Sequence, residues 1–299
     1  MGAPSTGQYK LGFLGGGMMA EALIGGILKK SLVSPESIFV SDMSADRLAV
    51  LEKKYKVRTT QENGEIVWQS DVILIAVKPQ GFPALCKQVD QFLETKACQP
   101  PGANSSPKPR YPAGKVFASI MAGVTLQTLG ESIGRHGDVV RVMPNTPAMV
   151  NAAASAYALH PLHFSKDGEA KVPFVEQIFS SIGICCQLPS ETYMDAVTGL
   201  SGSGPAYVYM MIEALSDGGV KNGLPRALAL QLAAQTVMGS AKMVLEKGEH
   251  PAVLKNQVES PAGTTIAGTA KLEEQGFRNA IVQAVSAATQ RSAELGAKK

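Results

Sequence analysis

The sequence predicts an α/β domain followed by an all-α domain, and three observations carry that prediction. From Lys10 to Leu188, short apolar runs alternate with stretches of helical spacing. After Ser190 nearly every segment has helical spacing. Between the two patterns lies Asp195 to Tyr209, DAVTGLSGSGPAYVY, with Gly199, Gly202 and Gly204 ahead of a long apolar run. Alternating strands and helices build a parallel sheet covered on both faces, whereas consecutive helices build a bundle. The glycines suit a close backbone crossing or, alternatively, an anion site of free amides at a helix start, and Pro205 suits a first helical turn.

A chain of 299 residues suits two domains and buries a substantial core. Hydrophobic residues make up 45% and charged residues 18%, a globular balance, and a net charge of +3 gives no footprint for nucleic acid. Cys86, Cys98, Cys185 and Cys186 follow no metal or disulfide spacing, so they are expected as packing thiols in a reducing compartment, and no metal is expected. The amino terminus has neither a secretory core nor a transit-peptide pattern. Gly2 and Thr6 do fit the loose acylation pattern, but no polybasic second signal follows. No uninterrupted apolar segment reaches transmembrane length. The expectation is a soluble cytoplasmic protein without a membrane partner.

Lys10 to Leu14 is a first strand running into Gly15-Gly16-Gly17-Met18-Met19-Ala20, with Ala22, Leu23, Gly26 and Ile27 at helical spacing beyond. This is Gly-x-Gly-x-x-Ala at a strand-to-helix turn, the fingerprint of a Rossmann-type nucleotide-binding domain. Gly15 serves the tight turn, Gly17 the approach of a pyrophosphate, and Ala20 close packing, with the helix amides and those of Met18 and Met19 facing the phosphates. Ile38 to Val40 is the second strand, ending in Ser41-Asp42. Asp42 stands where an acid holds a ribose 2′-hydroxyl, while Ser41, Ser44 and Arg47 are placed to hold a 2′-phosphate instead. Asp42 is alternatively a cap for the helix of Arg47 to Tyr55. The residues leave NADPH and NADH open.

A third strand near Arg58 to Thr60 and a helix near Asn63 to Gln69 lead to the fully apolar run Asp71 to Val77, ending in Lys78-Pro79. Open α/β sheets put ligands at such carboxyl ends. Gln99 to Gly114, rich in proline, serine and glycine, reads as an exposed loop. Strands at Lys115 to Ile120 and Val139 to Met143 follow. The first runs into Met121-Ala122-Gly123, and the second into Pro144-Asn145, where Asn145 either holds a ligand carboxamide or makes a local turn. Strands near Ala154 to Leu159 and Ile184 to Leu188, with a helix near Val172 to Ser181, complete the sheet.

In the second half, Pro205 to Gly218 and Pro225 to Glu246 are apolar on most faces, and helices without a polar face must be covered. A second copy would cover them, so an obligate dimer is expected. Pro251 opens a short helix, with His250 at its start, and Gly276 to Leu295 is the last. Between them, Glu259-Ser260-Pro261-Ala262-Gly263-Thr264-Thr265-Ile266 makes a small-anion pocket at a helix start, or else Ser260-Pro261 merely caps that helix. No His–carboxylate pair stands out among His136, His160, His163 and His250.

Taken together, GFLGGGMMA (Gly12 to Ala20), AVKPQ (Ala76 to Gln80), AGVT (Ala122 to Thr125) and RVMPNTP (Arg141 to Pro147) resemble the pyrroline-5-carboxylate reductase family. TGLSGSGPAY (Thr198 to Tyr207), DGGVKNGLPR (Asp217 to Arg226) and ESPAGTTI (Glu259 to Ile266) complete a resemblance over nearly the whole chain. It implies a Rossmann-type domain over 1–190 and an all-α dimerisation and substrate-binding domain over 191–299. The implied reaction is hydride transfer from NADPH or NADH, NADPH more often, to a cyclic imine, giving L-proline as the last step of proline biosynthesis. The implied cofactor set is Gly15, Gly17, Met18, Met19, Ser41, Asp42, Ala76, Val77, Lys78, Pro79, Ala122, Gly123 and Asn145. The implied substrate set is Ser260, Gly263, Thr264 and Thr265, with the Thr265 hydroxyl on the ring nitrogen as the catalytic contact and Pro205 on an intersubunit helix seam. The resemblance further implies an active site shared between two subunits and dimers assembled into rings. Ala262 departs from it, standing where the family commonly has glycine, and so does the 99–114 insert. A hydroxy-acid reductase using Lys221 or Lys242 as acid, and a dinucleotide sensor without turnover, are the competing readings.

Overall fold

Eight strands form one sheet in a computed structural model of the chain, which describes residues 9–97, 114–160 and 164–297. Gly2, Thr6, Cys98, His163 and all of the 99–114 insert except Gly114 lie outside the described residues. The strands are β1 (Leu11–Leu14), β2 (Ile38–Ser41), β3 (Arg58–Thr60), β4 (Val72–Ile75), β5 (Val116–Ser119), β6 (Asp138–Met143), β7 (Ala153–Leu159) and β8 (Gly183–Gln187). Their spatial order is β3-β2-β1-β4-β5-β6-β7-β8. The first six run parallel, β7 lies antiparallel to β6, and β8 is parallel to β7. Each strand lies within a residue or two of its expected place.

Strands β1, β2, β4 and β5 are buried at every residue, as continuous apolar runs covered on both faces must be. Alternate residues feed two opposite layers. Val72 and Leu74 join α1 (Met18–Lys29), α2 (Ala45–Tyr55) and the later α7 (Val172–Ser180), whereas Ile73 and Ile75 join α3 (Asn63–Gln69), α4 (Phe82–Ala97) and α5 (Leu126–Ile133). Helix α2 is capped by the Ser44 hydroxyl, which accepts from Arg47 N, and it ends where Lys56 turns left-handed at φ 59°. Asp42 is therefore not the cap of that helix. Short helices α6 (Lys166–Glu169) and α8 (Met194–Val197) complete this part, and Met194 is fully buried in its core.

Among the cysteines described, burial pushes the thiols of Cys86 and Cys185 up to about 11 and about 12, so both stay protonated packing groups. Cys186 is exposed.

The chain divides into two compact units, one ending at Gly202 and taking in the stretch from Thr289, the other Ser203–Ala288. The first unit retains α8 and the Thr198–Gly202 π-turn, because Met194 belongs to the sheet's core and a Cβ at Gly202 would come within 2.6 Å of Met143 Cε. Gly202 thus serves close approach. The second unit holds α9 (Gly204–Lys221), α10 (Arg226–Lys247), α11 (Pro251–Val258), α12 (Thr264–Glu274) and the first part of α13 (Phe277–Ala297). Its only fully buried residues are Ser216, Ala229 and Ala233, while Met210 is 70% and Leu245 75% exposed in the single chain. Helix α10 is long and apolar enough to cross a membrane by length and composition, although polar residues interrupt it. Its few charges sit mainly at the ends, so the central window passes where an uninterrupted apolar run does not.

Candidate active site

At the carboxyl edge of the parallel strands, the first unit gathers the loops that follow β1, β2, β4, β5 and β6. Gly15 turns the chain at φ 103°, its amide donating to Ser41 O at 2.8 Å, and an added Cβ would lie 2.9 Å from Ala76 O. A side chain has no room there. Gly17, by contrast, is exposed with nothing within 4 Å of an added Cβ, and it precedes α1 without any side-chain cap. Unpaired amides at a helix start, reached across a glycine with open space before it, fit a diphosphate. Ala20 is fully buried, which brings α1 close to the sheet, while Met18 projects outward and Met19 is half-buried.

Asp42 is fixed beside this turn: its Oδ2 accepts from Gly16 N at 2.8 Å and its Oδ1 from Ser44 N at 2.9 Å. Ser41 points inward, fully buried, donating its hydroxyl to Asn63 Oδ1 at 2.7 Å and to Phe13 O at 3.3 Å. That corrects its expected place as a cofactor ligand; it anchors the end of β2 instead. Ala76 and Val77 are half-buried after β4, Lys78 is exposed, and Pro79 opens a single 3-10 turn. After β5, Ala122 is exposed and Gly123 turns at φ 70°.

Asn145 is buried and spent on its own chain, with Nδ2 donating to Ser201 O at 3.0 Å and Oδ1 accepting from Ala154 N at 3.0 Å. It is neither a free carboxamide ligand nor a local turn former. It braces the loop after β6 against β7 and the π-turn.

The second unit carries the hydroxyl-rich loop. His250 caps α11 through Nδ1, accepting from Ala252 N at 3.2 Å. Helix α12 begins at Thr264 with Gly263 as its cap residue and no side-chain cap, so Ser260-Pro261 does not start that helix. Gly263 N donates to Ser260 O at 3.0 Å, and a Cβ on Gly263 would lie 2.2 Å from Ser260 Oγ. The serine hydroxyl therefore lies against Gly263, just ahead of the uncapped first turn, where Thr264 is exposed and Thr265 half-buried. Positive partial charge from those amides and a nearby hydroxyl are chemistry suited to a small anion.

Glu259 braces the loop, accepting from Lys255 Nζ at 2.6 Å and from Thr269 Oγ1 at 2.6 Å. The hydrogen bond from Lys255, then that from Thr269, hold its carboxyl below the usual value.

Residues 191–295 match the family described as pyrroline-5-carboxylate reductase dimerisation, and residues 10–97 match one described as NADP oxidoreductase coenzyme F420-dependent. The pyrroline-5-carboxylate reductase of Synechocystis is 46% identical over 97% of this chain and the whole of that protein. The chain belongs to the pyrroline-5-carboxylate reductase family. The Coxiella burnetii pyrroline-5-carboxylate reductase structure superposes with a TM-score of 0.83 at 31% identity, covering 96% of this chain and 98% of that one. The Plasmodium falciparum pyrroline carboxylate reductase, solved with NADP bound, gives 0.78 at 32% identity over 98% of this chain and all of its own.

As a pyrroline-5-carboxylate reductase, the chain reduces a cyclic C=N bond with hydride from a nicotinamide cofactor and yields L-proline. The competing lysine-acid and sensor readings fall away, and Lys221 and Lys242 are exposed surface residues. The dimerisation match accounts for the bare apolar faces of α9 and α10. A reductase of this kind has no need for a histidine base, yet a His–carboxylate pair does exist: His136 Nε2 lies 2.7 Å from Asp90 Oδ1, a contact the 46-residue separation conceals in sequence. It stands at the amino end of β6, the opposite edge from the glycine turn.

Sequence reasoning also missed Asn63, which holds the Ser41 hydroxyl, and Glu191, whose Oε1 accepts from Leu126 N at 2.8 Å and Arg141 Nη1 at 2.7 Å. Helical spacing would have signalled Lys255 and Glu259, which stand four residues apart.

Proposed function

We propose that the substrate carboxylate rests on the amides of Thr264 and Thr265 and the Ser260 hydroxyl, and that the Thr265 hydroxyl holds the ring nitrogen. The observation that carries this reading is the uncapped start of α12 with Ser260 Oγ lying against Gly263. A hydroxyl at the ring nitrogen orients the imine and, once the nitrogen is an amine, accepts a hydrogen bond from it.

In this proposal Gly15, Gly17, Met18 and Met19 form the diphosphate turn, and Asp42 meets the adenosine ribose. Ala76, Val77, Lys78, Pro79, Ala122 and Gly123 line the nicotinamide side, and Asn145 supports them from behind. Bound there, a reduced nicotinamide supplies the hydride that adds to the imine carbon. The chain's own task is then to orient, to neutralise the carboxylate and to keep water out. We place the loop of one subunit with the nucleotide-binding half of its partner, the dimers in a ring, and the enzyme in the cytoplasm without a membrane partner.

The test is oxidation of NADPH and, separately, NADH by the purified protein with pyrroline-5-carboxylate, for wild type and Thr265→Val. Turnover is expected to fall about 100-fold in the variant, the range of a lost positioning and proton-handling group, while cofactor binding persists. Unchanged turnover in the variant would remove the role given to Thr265.

A further inference from the structure

NADPH and NADH differ only by a phosphate on the adenosine 2′-oxygen, and the groups that would greet it sit after β2 and β3. Three candidate donors stand near Asp42; the structure commits Ser41 and Arg47 elsewhere and leaves Ser44 only a neutral O–H to offer. The Ser41 hydroxyl is buried on Phe13 O and Asn63 Oδ1. The Ser44 hydroxyl accepts from Arg47 N at 3.2 Å to cap α2. The Arg47 guanidinium lies across the glycine turn, donating from Nε to Gly16 O and from Nη2 to Gly17 O and Glu21 Oε2. Glu21 also pairs with Lys54 at 2.8 Å, so both basic groups of α2 that reach this turn answer a carboxylate already present. Hydrogen bonds from Lys54 and then Arg47 hold Glu21 below the usual carboxylate range.

The neighbouring strand end adds further negative charge. Beyond β3 come Gln61, which donates to Met43 O, then Glu62, and Glu65, which accepts from the Thr60 hydroxyl. The Asp42 carboxylate is fixed by Gly16 N and Ser44 N, and it is half-exposed with acceptor capacity to spare.

We propose that Asp42 is the specificity-determining residue of the cofactor site and selects the ribose that lacks the 2′-phosphate, so that this chain favours NADH over NADPH. A fixed carboxylate accepts from a ribose hydroxyl and repels a phosphate dianion, and no uncommitted cation stands among these residues to reverse the sign. The proposal rests on Gly15 to Ala20 being the diphosphate turn. The Plasmodium relative was solved with NADP bound, and the hydride chemistry is the same with either cofactor.

Titration calorimetry on the full chain with 5′-AMP and 2′,5′-ADP isolates the 2′-phosphate without any turnover, and NADH and NADPH repeat the comparison with the intact cofactors. Wild type is expected to bind the unphosphorylated member of each pair about tenfold more tightly, the size of one added repulsion at a half-exposed site. Asp42→Asn keeps an oxygen for Gly16 N, and Asp42→Ser removes more bulk. Either is expected to move the ratio about tenfold toward the phosphorylated nucleotide. Wild type favouring the phosphorylated members would overturn the proposal even if the variants fold poorly, and so would an equal loss for both members in an Asp42→Asn variant shown to be folded. Folded wild type that binds none of the four would overturn the diphosphate turn as well, which separates the two failures.

Discussion

Ala262 sits in the loop ahead of α12 at φ 55°, the left-handed region that alanine enters only at a cost. Collision of Cβ with the backbone makes that conformation about 1–2 kcal/mol unfavourable for an L-residue. Ala262→Gly removes the strain but gives the unfolded chain more freedom, an opposing effect of about 0.4–1 kcal/mol. The net expectation is a gain of about 0.5–1 kcal/mol, or about 1–3 °C in Tm for a chain of this size. Ala262→Val should go the other way, because a β-branched side chain tolerates positive φ still less well. Thermal unfolding followed by circular dichroism, at one fixed protein concentration because the protein oligomerises, gives the ranking. Turnover with pyrroline-5-carboxylate should persist in the glycine variant, since Ser260, Gly263, Thr264 and Thr265 keep their places. A glycine variant no more stable than wild type, or a valine variant equal to it, would show that left-handed strain at this position does not limit stability.

Gly15→Ala would put a Cβ 2.9 Å from Ala76 O at φ 103°, so the turn must shift, and cofactor affinity measured by nucleotide fluorescence should fall at least about tenfold. Burial pushes the Lys115 ammonium from 10.5 down to about 8, while its Nζ donates to Ser70 O at 2.6 Å. Between about pH 8 and 10.5 the unfolded chain binds a proton that the folded chain has released, so stability rises with pH across that window. Urea unfolding of wild type relative to Lys115→Met should show that rise, and parallel curves would contradict it. Met210 and Leu230 line a shallow groove on α9 and α10. The pair of changes Met210→Glu and Leu230→Glu should weaken self-association, read by light scattering as a shift toward monomer at micromolar concentration.

The fold was legible because its signals are local. Strand β4 is a run of apolar residues that only a doubly covered strand needs, and the Gly15 to Ala20 spacing fixes a turn whose steric demands belong to those residues alone. The all-α character of the second half was legible for the same reason, since helical periodicity needs no distant partner. Even the weak point at Ala262 was readable as a residue type, although only the backbone angle reveals that it carries strain.

What the tertiary structure decided was where polar side chains point. Ser41 and Asn145 have the chemistry of ligands, but Asn63, 22 residues on, and Ser201, 56 residues on, claim their hydrogen bonds. Asp42 reads in sequence as a helix cap or a ribose ligand; Ser44 takes the cap, and Gly16, 26 residues earlier, with Ser44 N fixes its carboxylate beside the glycine turn. A buried polar group must be paired, and its partner is set by the packing of elements far apart in the chain. The sequence therefore determined the architecture and the family. Which donors remain available to a cofactor was decided only when the strands and helices came together and spent the others.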